Sequence, residues 1–407
     1  MKKYGCIGKK LTHSFSKEIH AKLAGYEYEL IELSEDEIAD FFTGKDFSAI
    51  NVTIPYKKTV IPFCAELSDT AKRLGSVNVL LKKENGSLFG DNTDYYGFLY
   101  MAEKAGISFA GKKVLVLGSG GSSAMVQCAA SDRGAREIVV ISRSGENNYE
   151  NISKHFDADI IVNTTPVGMY PANGEAPIEL ENFKNCKGVL DLIYNPSKTA
   201  LLLKAEELGI PFSNGLSMLV AQAKRAAEIF TGEKYNDEII DKITEDISFE
   251  TKNIVLIGMP GSGKSTIGKL LAKNFGREFL DTDEIIAEKF DLPANIINLK
   301  GEAEFRKIET DVLKDACKMS GKVIATGGGA VTREENYNII KQNSIVVFLN
   351  RHINRLETKG RPLSQREGIE KLYESRIKLY KKFADKEIAF ETELPDEIIS
   401  KIKEILR

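Results

Sequence analysis

Apolar residues in this chain fall into short continuous runs, and stretches with a helical period lie between them. Runs of this kind, bounded by turn residues, read as buried strands, and their alternation with helices predicts an α/β protein. In residues 1–95 the pattern predicts strands at Tyr4–Ile7, Tyr28–Leu33, Ala49–Thr53 and Val77–Leu81. It restarts in residues 112–215 with Val114–Leu117, Ile138–Ile141, Ile160–Asn163 and Val189–Leu192. From Gly215 to Phe230 the residues Met218, Leu219, Ala223, Ala226, Ala227 and Phe230 keep a helical period. The acid-rich polar stretch Thr244–Asn253 then predicts a domain boundary with a short linker. Beyond it come strands at Ile254–Ile257, Val323–Ala325 and Ile345–Leu349. There is no internal repeat and no low-complexity segment.

Composition changes this picture only a little. A chain of 407 residues is long for one core, so two or three are expected. A net charge of -3 with 28% charged residues gives no electrostatic reason to expect nucleic acid or an anionic membrane as partner. No apolar run approaches a membrane span, and Met1–Gly8 lacks the apolar core of a signal peptide. The five cysteines (Cys6, Cys64, Cys128, Cys186, Cys317) never form a Cys-x-x-Cys pair. They predict small buried apolar side chains in a reducing, cytoplasmic setting, and leave oligomeric state open.

Candidate chemistry centres on two glycine loops of different design. Gly118-Ser119-Gly120-Gly121, with Ser122 after it, follows the first strand of the second segment. Strand, Gly-x-Gly-Gly, then helix is the arrangement in which backbone N–H groups meet a dinucleotide pyrophosphate; a bare tight turn is the alternative. After Ile138–Ile141 comes Ser142-Arg143-Ser144, with no acid to hold a free ribose 2′-hydroxyl. Arg143 can pair with a 2′-phosphate instead, which predicts NADP(H) over NAD(H). The second loop, Gly258-Met259-Pro260-Gly261-Ser262-Gly263-Lys264-Ser265-Thr266, has the Lys-Ser pair of a nucleoside triphosphate site. Its backbone N–H groups would cradle phosphates, Lys264 would reach the β/γ oxygens, and Ser265 would take Mg²⁺. By itself the loop does not distinguish a kinase from a GTPase or a motor ATPase. Together the loops predict hydride transfer and phosphoryl transfer in one chain.

Polar clusters surround both. His13-Ser14-Phe15-Ser16 offers two hydroxyls on one face if extended, and Asn51-Val52-Thr53-Ile54-Pro55-Tyr56-Lys57 ends a strand with a lysine. Gly90-Asp91-Asn92-Thr93-Asp94 places a carboxylate at a turn into a helix. A lysine and an aspartate brought together can exchange a proton with a substrate oxygen, although a surface Lys and an N-cap Asp would look the same in sequence. In the second half, Asp281-Thr282-Asp283 offers two carboxylates on one side of an extended segment. Arg306, Arg361 and Arg376 supply guanidinium groups for anionic ligands, while Arg351–Arg366 reads as a solvated basic stretch.

The first 240 or so residues resemble the shikimate dehydrogenases along their whole length. The ordered matches are His-Ser-x-Ser at 13–16, Asn-Val-Thr-x-Pro-x-Lys at 51–57, Gly-Ser-Val-Asn at 75–78, Asp-Asn-Thr-Asp at 91–94 and the first glycine loop. Asn163–Met169, Asp191–Pro196 and Gly215–Gln222 complete the set. The resemblance implies that Ser14, Ser16, Thr53, Asn78, Asp94, Tyr194 and Gln222 line the shikimate site, with Lys57 and Asp94 as the catalytic pair and Gly215 beside the cofactor. Lys10 and Lys17 stand where the family has prolines, and Met125 where it has a small residue, so a looser N-terminal loop and altered helix packing are expected.

Residues 253–407 resemble the shikimate kinases through the second glycine loop, Asp-Thr-Asp at 281–283, Gly301-Glu302-x-x-Phe305-Arg306-x-x-Glu309, Gly327-Gly328-Gly329, Arg361-Pro362-Leu363 and Arg376-x-x-x-Tyr380. This implies a catalytic Lys264 and Asp283, with Asp283 on the substrate hydroxyls, Arg306 and Arg376 on its carboxylate, and Gly328 as a backbone contact. Asp281 would join Ser265 at Mg²⁺, and Arg361 would come from a lid over ATP. Ala287 replaces the usual acid of the pocket rim, with Glu288 next to it.

The expected architecture is an α/β substrate domain (1–95, completed by 215–245), a Rossmann NADP-binding domain (96–214), a linker (246–252) and a P-loop kinase α/β domain (253–407). The expected function is reduction of 3-dehydroshikimate to shikimate by NADPH, then phosphorylation of shikimate by ATP. The alternatives are a quinate/shikimate dehydrogenase in the first half and a ligand sensor without catalysis.

Overall fold

A computed structural model describes residues 3–11, 14–44, 46–356 and 368–406. The chain divides into two compact units. The first comprises Met1–Val167, Ala176–Tyr194 and Lys204–Ile247; the second comprises Gly168–Glu175, Asn195–Leu203 and Ser248–Arg407.

The first unit holds two sheets. One contains β1 (Tyr4–Gly8), β2 (Tyr28–Glu32), β3 (Ala49–Val52), β4 (Glu66–Leu67), β5 (Val79–Lys82) and β6 (Leu88–Asp91), in the order β2-β1-β3-β5-β6-β4. It is mixed: β1 is parallel to β2 and β3, whereas β5 runs antiparallel to β3 and β6. The other contains β7 (Lys113–Leu117), β8 (Glu137–Ile141), β9 (Ile160–Asn163), β10 (Gly188–Asp191) and β11 (Phe212–Ser213), all parallel, in the order β11-β10-β9-β7-β8. Every residue of β7 is buried, as expected of a strand covered on both faces. The strand order reverses at β7, so the loop after it opens at the switch point where such sheets bind ligands.

The second unit is built on β12 (Asn253–Ile257), β13 (Phe279–Asp281), β14 (Val323–Ala325), β15 (Ser344–Arg351) and β16 (Lys386–Phe390). They form one parallel sheet in the order β13-β14-β12-β15-β16, again with a fully buried strand, β12, ahead of a glycine loop.

One close approach positions the first site. The helix Asp94–Lys104 lies against the helix Leu216–Thr231, and a Cβ on Gly97 would fall 2.5 Å from the carbonyl oxygen of Met218. Only glycine allows that crossing, which brings Asp94 at one helix start next to Gln222 on the other.

The structure departs from the sequence pattern in identifiable places. The stretch expected to be a linker is the end of the helix Glu238–Thr251, whose Ile240, Ile243 and Ile247 are buried against Val220, Ala223 and Ala227. Those isoleucines keep a helical spacing that the surrounding acids mask. The sequence pattern does not reveal strands β4, β6, β11, β13 and β16, because they are short or carry glycine and charged residues. Met125 is accommodated in the core among Val114, Val116 and Val126. Of the five free cysteines only Cys6 and Cys317 are buried; Cys64, Cys128 and Cys186 are half-buried, in contrast to the expectation for all five. Among the described residues no helix is long and apolar enough to cross a membrane.

Candidate active sites

The first site grows from the start of the helix Asp94–Lys104. Asn78, buried just before β5, accepts the Thr93 N–H at Oδ1 (2.7 Å) and donates from Nδ2 to Asp94 Oδ1 (2.9 Å). The second Asp94 oxygen accepts a hydrogen bond from Lys57 Nζ at 2.6 Å, and both side chains remain partly open to solvent. Lys57 is therefore neither a free surface lysine nor Asp94 a simple cap. Thr93 Oγ1 and Asn78 Nδ2 each lie 3.4 Å from Gln222 Oε1, which draws the helix Leu216–Thr231 into the same network. Asn51 accepts from the Tyr28 hydroxyl (2.7 Å) and donates to the Asn78 carbonyl (3.2 Å), tying β2, β3 and β5 together behind it.

These groups face a cavity of about 210 Å³. Ser16, Thr53, Lys57, Asn78, Asp94, Ser122, Tyr194, Gly215 and Gln222 line it, joined by Cys6, Asn51, Val52, Leu192, Met218 and Leu219. Asn51 was overlooked although it begins the Asn-Val-Thr segment; Met218 and Leu219 looked like core positions of a helical period. Ser14 is not part of the lining: its Oγ accepts the Ser16 N–H (3.3 Å). Phe15 is in helical conformation and Ser16 opens the helix Ser16–Leu23, so the two serines are not displayed on one extended face. His13 lies outside the described residues. Lys10 and Lys17 are exposed.

The first glycine loop stands beside this cavity through Ser122. Gly118 (φ +102°) is pressed against Thr164, whose Oγ1 would be 2.8 Å from an added Cβ. Gly120 and Gly121, in contrast, have open space where a Cβ would be, and the helix Gly121–Asp132 begins there. Ser119, Gly120 and Gly121 are exposed, so a cradle of backbone N–H groups at a helix N-terminus is open to an anion and suits a pyrophosphate. Leu117 pairs with Ile141 in the parallel register, so Ser142 and the exposed Arg143 leave the sheet next to the loop. Gly215 is buried with the Leu192 carbonyl 2.1 Å from where a Cβ would be, so no side chain fits there.

The second site is built on the loop after β12. Gly258 packs against the Leu349 carbonyl of β15, and Gly261 and Gly263 hold positive φ (+83° and +91°), which turns the loop back on itself. Lys264 Nζ is buried and donates to the carbonyls of Gly258 and Met259, both at 3.0 Å. Ser265 Oγ donates to Asp281 Oδ2 (2.6 Å), two hard oxygen donors beside the loop that suit a Mg²⁺ completing its shell with phosphate and water. Thr266 is exposed in the same turn, and Arg361 lies outside the described residues.

Asp281 and Asp283 are not on an extended segment, contrary to the sequence expectation. Asp281 ends β13 and caps the helix Thr282–Lys289, accepting the N–H groups of Asp283 (3.0 Å) and Glu284 (3.4 Å) at Oδ1. Asp283 projects from the first helical turn toward Gly327, where an added Cβ would be 2.9 Å from Asp283 Oδ1 and 2.3 Å from Glu309 Oε1. Two carboxylates thus converge over a glycine. Solvent reaches Asp283, yet protein surrounds the cleft in which it stands; that crowding, then Glu309 and Asp281, pushes its carboxyl up to about 6. Glu309 is raised as well, first by burial, and its Oε1 is buried without a partner.

Arg306, buried, donates to Glu309 Oε2 (2.7 Å) and to Glu302 Oε1 (2.9 Å), and its guanidinium lies against Gly329. Arg376 Nη1 (3.1 Å) and the Tyr380 hydroxyl (2.5 Å) both donate to the Gly328 carbonyl. Tyr380 stacks on Phe348, and burial pushes its phenol up to about 12. The three glycines are thus the floor on which Asp283, Arg306 and Arg376 meet. Glu309 escaped notice as a site residue, although its spacing of three from Arg306 on one helix was the signal. Ala287 is half-buried and Glu288 exposed on the helix that carries Asp283.

A carboxyl whose folded pKa is raised binds its proton more tightly in the native state, so its ionisation costs stability as pH climbs from about 4 through 6. Asp283→Asn is therefore expected to raise the melting temperature above pH 6 and leave it unchanged below pH 4, with solvent screening keeping the gain small. A melting series against pH for both proteins checks this; a gain largest at low pH would contradict it.

Fold and site together define a two-part α/β enzyme, with a dinucleotide cradle beside a Lys–Asp pair and a phosphate loop beside two buried arginines. Sequence models of known families match both parts: the shikimate dehydrogenase substrate binding domain over residues 6–80 and shikimate kinase over residues 260–407. The shikimate dehydrogenase (NADP(+)) of Clostridium perfringens is 35% identical over 271 residues, covering 61% of this chain and 98% of that protein. Shikimate dehydrogenase 1 of Peptoclostridium difficile has a crystal structure similar at TM-score 0.56 with 34% identity, covering 61% of this chain and 98% of that one. The shikimate 5-dehydrogenase of Thermus thermophilus, solved with NADP(H) and shikimate, is similar at TM-score 0.55 with 28% identity, covering 60% and 99%. This chain belongs to the shikimate dehydrogenase family, fused to a shikimate kinase domain, and is an enzyme of the shikimate pathway.

Proposed function

We propose that this chain catalyses two consecutive reactions: reduction of 3-dehydroshikimate to shikimate by NADPH, and phosphorylation of shikimate to shikimate 3-phosphate by ATP with Mg²⁺. The observation that carries the reading is the presence in one chain of two differently equipped anion cradles. One adjoins a proton-transfer pair, the other a carboxylate and two buried arginines. The NADP(+)-dependent relatives, and the relative solved with NADP(H) and shikimate, support the ligands of the first reaction.

In the reduction, NADPH supplies the hydride to the substrate carbonyl carbon. Lys57 Nζ gives the proton that turns the carbonyl oxygen into a hydroxyl, and Asp94 keeps that ammonium aimed and accepts from the neighbouring hydroxyl. Ser16 holds the ring carboxylate, while Thr53, Asn78, Tyr194 and Gln222 fix the remaining hydroxyls. Gly118, Ser119, Gly120, Gly121, Ser122 and Gly215 give the dinucleotide its backbone bed, and Ser142 and Arg143 take the 2′-phosphate.

In the phosphorylation, ATP supplies the phosphoryl group. Asp283 orients the accepting hydroxyl and takes its proton; Arg306 and Arg376 hold the substrate carboxylate over Gly328. Gly261–Thr266, with Lys264 among them, would hold the phosphates, and Ser265 and Asp281 would hold Mg²⁺.

The test uses one purified preparation. NADPH oxidation on addition of 3-dehydroshikimate and ADP formation on addition of shikimate are both expected, with quinate oxidised poorly in the reverse direction. Absence of either activity, or quinate used as well as shikimate, would overturn the reading.

A further inference from the structure

Arg351 closes β15, the strand hydrogen-bonded to β12, whose end carries the phosphate loop. Its place at the head of a basic stretch predicts a solvated side chain, but it is half-buried. Side chains alternate along a strand, and Val347 and Leu349 pack with Ile267 and Leu271 of the helix that follows the phosphate loop. Arg351 shares their face and so points toward that loop; Asn350 faces the other way, donating to Glu387 (2.7 Å).

Arg351 Nη1 donates to the Gly261 carbonyl at 3.3 Å, and its Nε is sealed from solvent without a hydrogen-bond partner. Among the described residues no carboxylate pairs with it. A partly buried guanidinium with an unmet donor and no counter-charge is costly by itself, and a multiply charged oxyanion at the loop meets both needs.

We propose that Arg351 is a nucleotide-binding residue of the kinase site, donating to a polyphosphate oxygen of the bound nucleoside triphosphate. This rests on the kinase reading above and adds a specific ligand to it.

The probe is ADP with Mg²⁺, titrated by calorimetry into the full chain and into R351A, R351Q and R351K. Dissociation constants about tenfold or more above the unaltered chain are expected for R351A and R351Q, with R351K between. The KM for ATP is expected to rise in parallel while the KM for shikimate stays within about twofold. ADP binding by R351A and R351Q as tight as by the unaltered chain would overturn the proposal. So would an equal rise in the KM for shikimate in all three variants, which would mark a packing role. Failure of the unaltered chain to bind ADP would remove the kinase reading and this proposal together, whereas loss confined to the variants leaves that reading intact.

Discussion

Replacing Lys57 by alanine is expected to slow NADPH-dependent reduction by about 10³-fold or more, within the range that a positioned general acid supplies, and to leave shikimate phosphorylation unchanged. The reason is local. Lys57 Nζ is the cation bonded to Asp94 in the cavity, at 2.6 Å, and the other Asp94 oxygen is already held by Asn78. Without the lysine the carboxylate stays in place but no donor stands ready for the forming alcohol oxygen. Lys57→Arg separates charge from chemistry, since a guanidinium keeps the ion pair yet does not release a proton near neutral pH. That variant is expected to bind substrate and fail in turnover. The check is steady-state kinetics of both reactions in each variant; reduction at the unaltered rate in Lys57→Ala would remove the lysine from the mechanism.

Replacing Lys264 by alanine is expected to lower phosphoryl transfer by about 10³-fold, as for loss of a preorganised charge at developing phosphate charge, and to spare reduction. Lys264 is buried, and the carbonyls of Gly258 and Met259 hold its ammonium within the loop. The two variants form opposite halves of one comparison. Each is expected to remove one activity and leave the other, and joint loss in either would contradict independent sites. Product analysis with 3-dehydroshikimate and shikimate supplied separately reads both outcomes.

Much of the fold was legible because central parallel strands are continuous apolar runs: Ile160–Asn163 and Val323–Ala325 appear with the bounds their sequences predict. What the pattern hid was carried by side-chain composition rather than period. Acids on the exposed face of Glu238–Thr251 made a helix look like a linker, and β16 has exposed Lys386, Glu387 and Ala389 around buried Ile388 and Phe390. For the sites, motif residues indicated which chemistry to expect, but not which side chains touch. That Lys57 meets Asp94 depends on a turn after β3 and on the helix crossing that Gly97 permits. Arg351 was misread for a related reason. Charge along the sequence suggests solvent, while the register of β15 turns that one residue toward the phosphate loop.

The most direct test of two consecutive activities in one chain is a single reaction containing 3-dehydroshikimate, NADPH, ATP and Mg²⁺, with both cofactors and all carbon products followed over time. NADPH consumed and ADP formed in equal amounts at completion are expected, with shikimate 3-phosphate as the end product. Shikimate accumulating without ADP, or neither cofactor being consumed, would contradict that expectation.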